Sequence, residues 1–147
     1  MHIITSGFGT IQAPEQAILT FPSGVIGFPA STRYVVLDHD RDVPFKWLQS
    51  LDERTLAFVV TDPMLCKQDY QVALAEDDLA ELKLDSERDL AIMVIQTIPS
   101  EDPSRITANL RGPLVVNQRC RLAKQVILRD EHPTRYPLFS QPAQPVV

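Results

Sequence analysis

Residues 106–130 run through three short apolar stretches, cut first by Arg111-Gly112-Pro113 and again by residues 118–121. Each cut has a local cause. Gly112 accepts backbone angles that other residues resist, while Pro113 fixes its own φ and cannot donate to a strand ladder. A segment punctuated in this way reads as a strand meander. Further short runs rich in Ile, Val, Leu, Phe and Thr recur at 3–5, 17–21, 34–37, 56–61 and 90–98, with turn residues between them. That spacing predicts a mostly-β domain. The run 90–98 lacks clean alternation, which suits either a strand buried on both faces or a buried helix. Its β-branched content and the stop at Pro99 favour the strand.

One short helix is predicted over 76–84, with Leu79 and Leu82 on one face and Asp77, Asp78 and Glu81 turned to water. The segment from Phe21 through Gly24, Val25, Ile26 and Gly27 to Phe28 and Pro29 predicts a tight loop that holds its apolar side chains inward. A chain of 147 residues, 44% hydrophobic and 22% charged, fits one ordinary globular domain. It has enough length to bury roughly 70% of its unfolded surface without metal or disulfide support. Cys66 and Cys120 lack further ligands at metal-binding spacing and read as small, buried or half-buried hydrophobes. Four prolines fall within the fifteen residues from Pro133 onward. The expected organisation is therefore a domain over 1–139 and a flexible tail over 140–147.

Residues 1–7 have neither the basic start nor the apolar core of a signal peptide, and no apolar run approaches the roughly 18 residues that span a bilayer. The expectation is a cytoplasmic protein without membrane contact. A formal net charge of -5 argues against direct nucleic-acid binding, because phosphates repel such a chain unless a basic patch is segregated. The most basic stretch, with Arg119, Arg121, Lys124 and Arg129, is scattered along a strand.

Motifs for catalysis are absent: no nucleophile elbow, zincin helix, phosphate loop or dinucleotide fingerprint occurs. Asp38-His39-Asp40-Arg41-Asp42 is the most suggestive polar cluster, since carboxylates flanking an imidazole can bind a divalent metal or tune a proton transfer. A solvated loop explains the same residues, and adjacent side chains on extended backbone point to opposite sides. A second acidic run, Glu76, Asp77, Asp78, Glu81, Asp85, Glu87 and Asp89, is relieved only by Lys83 and Arg88. Such a face suits steering of a basic partner. Trp47 is the only tryptophan, on a predicted strand where Phe45, Trp47 and Gln49 face one way and Lys46, Leu48 and Ser50 the other. It is either a core residue or an exposed anchor.

Four blocks, in order, resemble the FliW family of bacterial flagellar assembly factors. They are Phe21-Pro22-x-Gly24-x-x-Gly27-Phe28; Pro44-Phe45-x-x-Leu48-Gln49-Ser50; residues 56–63 ending in Asp62-Pro63 with Asp69-Tyr70 shortly after; and Asn109-Leu110-x-x-Pro113-Leu114-Val115-Val116-Asn117 with Gln125-Val126-Ile127-Leu128. The resemblance implies a single small β-barrel-like domain of antiparallel strands with one short helix. It also implies a non-enzymatic protein that needs no cofactor or metal. Such a protein binds flagellin and the translational repressor CsrA, and by partner exchange antagonises CsrA repression of flagellin synthesis. Asp62, Asn109 and Asn117 suit caps and turns. Candidate partner contacts are Asp69, Tyr70, Glu76, Asp77, Asp78 and Glu81, with Asp38, Asp40 and Trp47 as further candidates. The competing readings are a small metal-dependent enzyme built on Asp38-His39-Asp40 and an RNA- or nucleotide-binding barrel.

Overall fold

Branched and aromatic side chains in short alternating runs set the strands of this computed structural model, which describes residues 2–5, 9–38, 45–97, 105–129 and 132–137. In chain order the strands are β1 (His2–Thr5), β2 (Gly9–Gln12), β3 (Ile18–Thr20), β4 (Arg33–Asp38), β5 (Phe45–Ser50) and β6 (Ala57–Thr61). The helix α1 (Glu76–Glu81) follows, then β7 (Leu90–Thr97), β8 (Thr107–Ala108), β9 (Leu114–Asn117), β10 (Leu122–Gln125) and β11 (Tyr136–Pro137). β1 and β2 form a separate antiparallel pair. The others form one sheet in the order β11-β8-β7-β6-β5-β4-β3-β10-β9, and β9 pairs back onto β7. Seven strands, β3 to β7 with β9 and β10, thereby close into a barrel, while β8 and β11 extend beside it.

Closure rests on β7. Its residues Leu90 to Met93 pair with β9, and Val94 to Gln96 pair with β6. Alternate side chains along it serve two cores. Ala91, Met93 and Ile95 pack against the barrel interior with Phe21, Tyr34, Leu48, Val60, Leu114 and Val116. Leu90, Ile92 and Val94 face outward into a second cluster with Tyr70, Leu82, Leu110 and Val115. The run 90–98 is thus a strand apolar on both faces, as far as its described residues extend.

Four expectations change. The strands are not all antiparallel, because β3 and β10 run parallel where Leu122 meets Thr20. Residues 106–130 are not a simple meander either: β8 pairs with β7 and β11, whereas β9 pairs with β7 and β10. The Gly112-Pro113 break makes the difference. Asn109 Oδ1 accepts from the Arg111 and Gly112 amides, folding that stretch into a turn that carries the chain past β8. In the segment 21–29, Phe21 and Val25 are buried, but Ile26 and Phe28 are exposed. Of the two cysteines, Cys66 is half-buried, where burial pushes its thiol pKa up, and Cys120 is exposed. The tail expected over 140–147, with the last residues of the 1–139 span, lies outside the described residues.

Gly24 takes a left-handed conformation (φ 71°), and a Cβ there would sit 2.4 Å from the Phe28 carbonyl oxygen and 2.7 Å from Pro29 Cα. Backbone cannot yield as a flexible side chain does, so Gly24→Ala is expected to cost roughly 2–4 kcal/mol. Thermal denaturation would show it as a midpoint lowered by about 10 °C. Asp52 joins the turn after β5 to the start of β4: its Oδ2 accepts from the Thr32 and Arg33 amides at 2.8 and 3.0 Å, and its Oδ1 from the Arg33 guanidinium at 2.9 Å. Burial opposes ionisation here, but those amide bonds and the guanidinium outweigh it and hold the carboxyl below the usual range. A carboxyl depressed in the folded state stabilises above its unfolded pKa, near 4, and loses that contribution as pH falls through its folded value. Asp52→Asn is expected to cost about 1–2 kcal/mol at neutral pH. In paired denaturant titrations, the gap between wild type and variant should narrow below about pH 4.

Candidate functional site

α1 is six residues long, too short to persist without tertiary support. Its first turn holds Glu76, Asp77 and Asp78, whose charge complements the positive end of the helix, and the Asp78 carboxylate accepts from the Ala75 amide. The C-terminus closes in a Schellman motif. Lys83 takes the left-handed position (φ 53°) usually given to glycine, its amide bonds the Ala80 carbonyl, and the Leu84 amide bonds that of Leu79. Leu82, just past the helix, is 1% exposed and plugs the outer core. Its apparent partner Leu79 stays exposed, because the helix ends before a second apolar position reaches the sheet.

Two contacts from the barrel hold this element. Fully buried Asn117, at the end of β9, donates to the Leu82 and Lys83 carbonyls at 2.9 and 3.1 Å, and accepts from the Arg119 amide. Lys124 on β10 donates to Asp78 Oδ1 at 2.7 Å and to Glu81. Hydrogen bonds from Asp78, then Glu81, hold the ammonium pKa above its ordinary value. Asp78 is therefore not turned to water as expected: its side chain is 14% exposed. Glu76 and Asp77 are exposed on the same helix. Asp78 and Glu81 thus share one ammonium, while Glu76 and Asp77 sit on the first turn of the same helix.

The other candidates are dispersed. Asp69 is exposed and pairs with Lys67 at 2.9 Å, which keeps its carboxyl below the usual range. Tyr70 does not face a partner but belongs to the core, 4% exposed, with its hydroxyl donating to the Leu110 carbonyl at 2.6 Å and its ring edge-on to His132. Asp38 is exposed and pairs with Lys46 at 2.6 Å, so the Lys46 hydrogen bond depresses its pKa and it is already committed to a cation. His39 and Asp40 lie outside the described residues. Trp47 is half-buried between Leu37 and Val59 in the register of neighbouring strands. Among the described residues, no group of three or more His, Cys, Asp or Glu side chains is arranged to hold a metal ion. Nor does the basic stretch form a free cationic stripe. Arg119 pairs with Asp85 and Asp89, and Lys124 with Asp78 and Glu81.

Sequence reasoning missed Lys124 as the helix anchor and Gln125 as a clamp. Gln125 Oε1 accepts from the Ile26 amide and its Nε2 donates to the Gly112 carbonyl, tying two turns together. Only the resemblance marked Gln125, and nothing in a single chain links Lys124 to Asp78. No helix among the described residues is long and apolar enough to cross a membrane.

Comparison with known proteins fits this architecture. Residues 2–138 match the family model described as FliW protein. The chain is 38% identical over 141 residues to the flagellar assembly factor FliW of Natranaerobius thermophilus, covering 95% of this chain and 93% of that one. With the flagellar assembly factor FliW of Syntrophus aciditrophicus it shares 43% identity over 140 residues, covering 95% and 88%. A crystal structure of the flagellar assembly factor FliW superposes with a TM-score of 0.86 at 35% identity, covering 95% of this chain and 97% of the other.

Asn117 is the residue on which the position of α1 turns. Asn117→Ala removes the side-chain partner of two helix-end carbonyls and of the Arg119 amide, the Leu82 bond being fully buried. The expected cost is about 2–4 kcal/mol. Hydrogen exchange should report the first and largest loss of protection at residues 76–84.

Proposed function

The chain belongs to the FliW family of flagellar assembly factors, and from that premise we propose that it is a protein-binding regulator without catalytic activity that engages flagellin and the translational repressor CsrA by exchange. When flagellin is scarce, the protein holds CsrA and relieves its repression of flagellin synthesis. When flagellin accumulates, it occupies the protein and CsrA returns to its message. The observation that carries the CsrA half of this reading is the face of α1. A repressor that binds RNA presents basic groups, and Glu76, Asp77, Asp78 and Glu81, which outnumber Lys83 and Lys124, offer them a complementary field. The face is held by Asn117 and Leu82 rather than carried on a loose loop, so its charges stay in register. Flagellin binding follows from family membership alone, and an extended or helical terminal segment is the form of ligand that a small barrel accepts.

Calorimetric titration with CsrA and, separately, with flagellin from the same cell tests this reading. Both are expected to bind at micromolar affinity or tighter, and raising salt from about 50 to 300 mM should weaken the CsrA complex more. Glu76 and Asp77 have exposed side chains, so their joint reversal to lysine leaves the Lys124 anchor intact. That variant should lose at least tenfold in CsrA affinity while keeping its flagellin affinity. Absence of heat and of a complex on a sizing column with both partners overturns the reading, and unchanged CsrA affinity in the variant removes the α1 face from it.

A further inference from the structure

We propose that the pocket between α1 and the turn at residues 22–24 receives one leucine- to phenylalanine-sized side chain from a basic segment of the partner, an inference that rests on the α1 face being the surface for a basic protein. The pocket has a volume of about 130 Å³ and is lined by Pro22, Ser23, Gly24, Leu82 and Ala123, with Glu81 and Lys124 among its polar lining residues. Leu82 and Ala123 are each 1% exposed and supply rigid apolar walls, one from the end of the helix and one from the barrel strand β10. Gly24 donates its amide to the Phe21 carbonyl at 2.8 Å and lies against the Phe28–Pro29 backbone, so that wall is fixed as well. A cavity of comparable volume, when apolar, stays dry and takes up a benzene-sized group. This one opens to solvent beside charge, which makes it an anchor pocket rather than an internal void.

The charge at its mouth selects the occupant. Lys124 is already shared by Asp78 and Glu81, so two carboxylates meet one ammonium there. An apolar side chain carried on an acidic segment meets repulsion there, and so does a second copy of this chain, whose net charge is -5. A lysine or arginine next to the anchoring residue falls beside Glu81 instead, where its charge offsets the surplus carboxylates.

Ser23→Trp tests the pocket, since Ser23 is exposed and an indole there fills the opening without altering charge. Ser23→Phe fills it with a smaller ring. Circular dichroism and thermal denaturation identify which variant keeps the fold. The folded variant should bind CsrA at least tenfold more weakly than wild type, at an unchanged slope of affinity against salt. A partner-free probe runs beside it: the capped tripeptide acetyl-Lys-Leu-Lys-amide at millimolar concentration should shift the amide resonances of Ser23 and Ala123, and acetyl-Lys-Ser-Lys-amide should not. If CsrA does not bind wild type but the leucine peptide shifts those resonances, the pocket stands and the partner assignment falls. If CsrA binds both filled variants as it binds wild type, or if the two peptides shift the resonances equally, the pocket proposal is overturned while the charge-based reading survives.

Discussion

The barrel depends on one strand being shared between two neighbours. β7 gives its first half to β9 and its second half to β6, so the wall has no open seam where those two strands would otherwise present unpaired amides and carbonyls. The division requires a strand longer than its neighbours, and at eight residues β7 is the longest among those described. It also requires both faces to be apolar, because the inner face fills the barrel while the outer face must be covered. That second demand shapes the rest of the chain. Residues 66–84 leave the sheet after β6 and return before β7, laying Tyr70, Val72, Leu74, Leu82 and Leu84 over the outer face, and Val126, Leu128 and Tyr136 complete the cover.

α1 is therefore a consequence of packing rather than of helical propensity. Six residues cannot repay the cost of helix nucleation in water. The turn forms because Leu82 is buried and because the carbonyls left over at its C-terminus find Asn117. A lysine at the left-handed position is tolerated on the same ground, since the six-residue hydrogen-bonded closure from Leu84 to Leu79 and the buried leucine fix the backbone around it. The outcome is an acidic surface whose geometry comes from the barrel beneath.

How much of this was legible in the sequence depended on the distance over which each residue's role is decided. β4, β5, β6 and β7 follow from short-range signals: bounding turns and β-rich composition suffice to announce them, even where, as in β7, alternation is missing. Asp62 and Asn109 were readable for the same reason: their bonds to Met64, Arg111 and Gly112 stay within three residues. Roles fixed by distant partners were not. Asp78 sits in a run of acids that looks solvated, and its ammonium arrives from residue 124. Tyr70 resembles a surface aromatic beside Asp69 until Leu110, forty residues later, accepts its hydroxyl proton. Ile26 and Phe28 looked inward because every neighbour in that loop is apolar or a turn former, yet two left-handed glycines turn the chain so that Val25 alone of the three points in.

The balance of charge on α1 links its stability to its chemistry. Ion pairs at a protein surface stabilise a fold by about 1 kcal/mol at most as a rule, so Lys124 is not what keeps the barrel folded. Its effect is positional. By drawing Asp78 and Glu81 toward β10 it offsets part of their charge, and Glu76 and Asp77 act undiminished over the roughly 8 Å that physiological salt allows. Long-range attraction and close fit are thereby assigned to different residues of one short turn. The free carboxylates set how fast a basic partner arrives, and the anchored ones, with Leu82 between them and the core, set what shape it must have when it does.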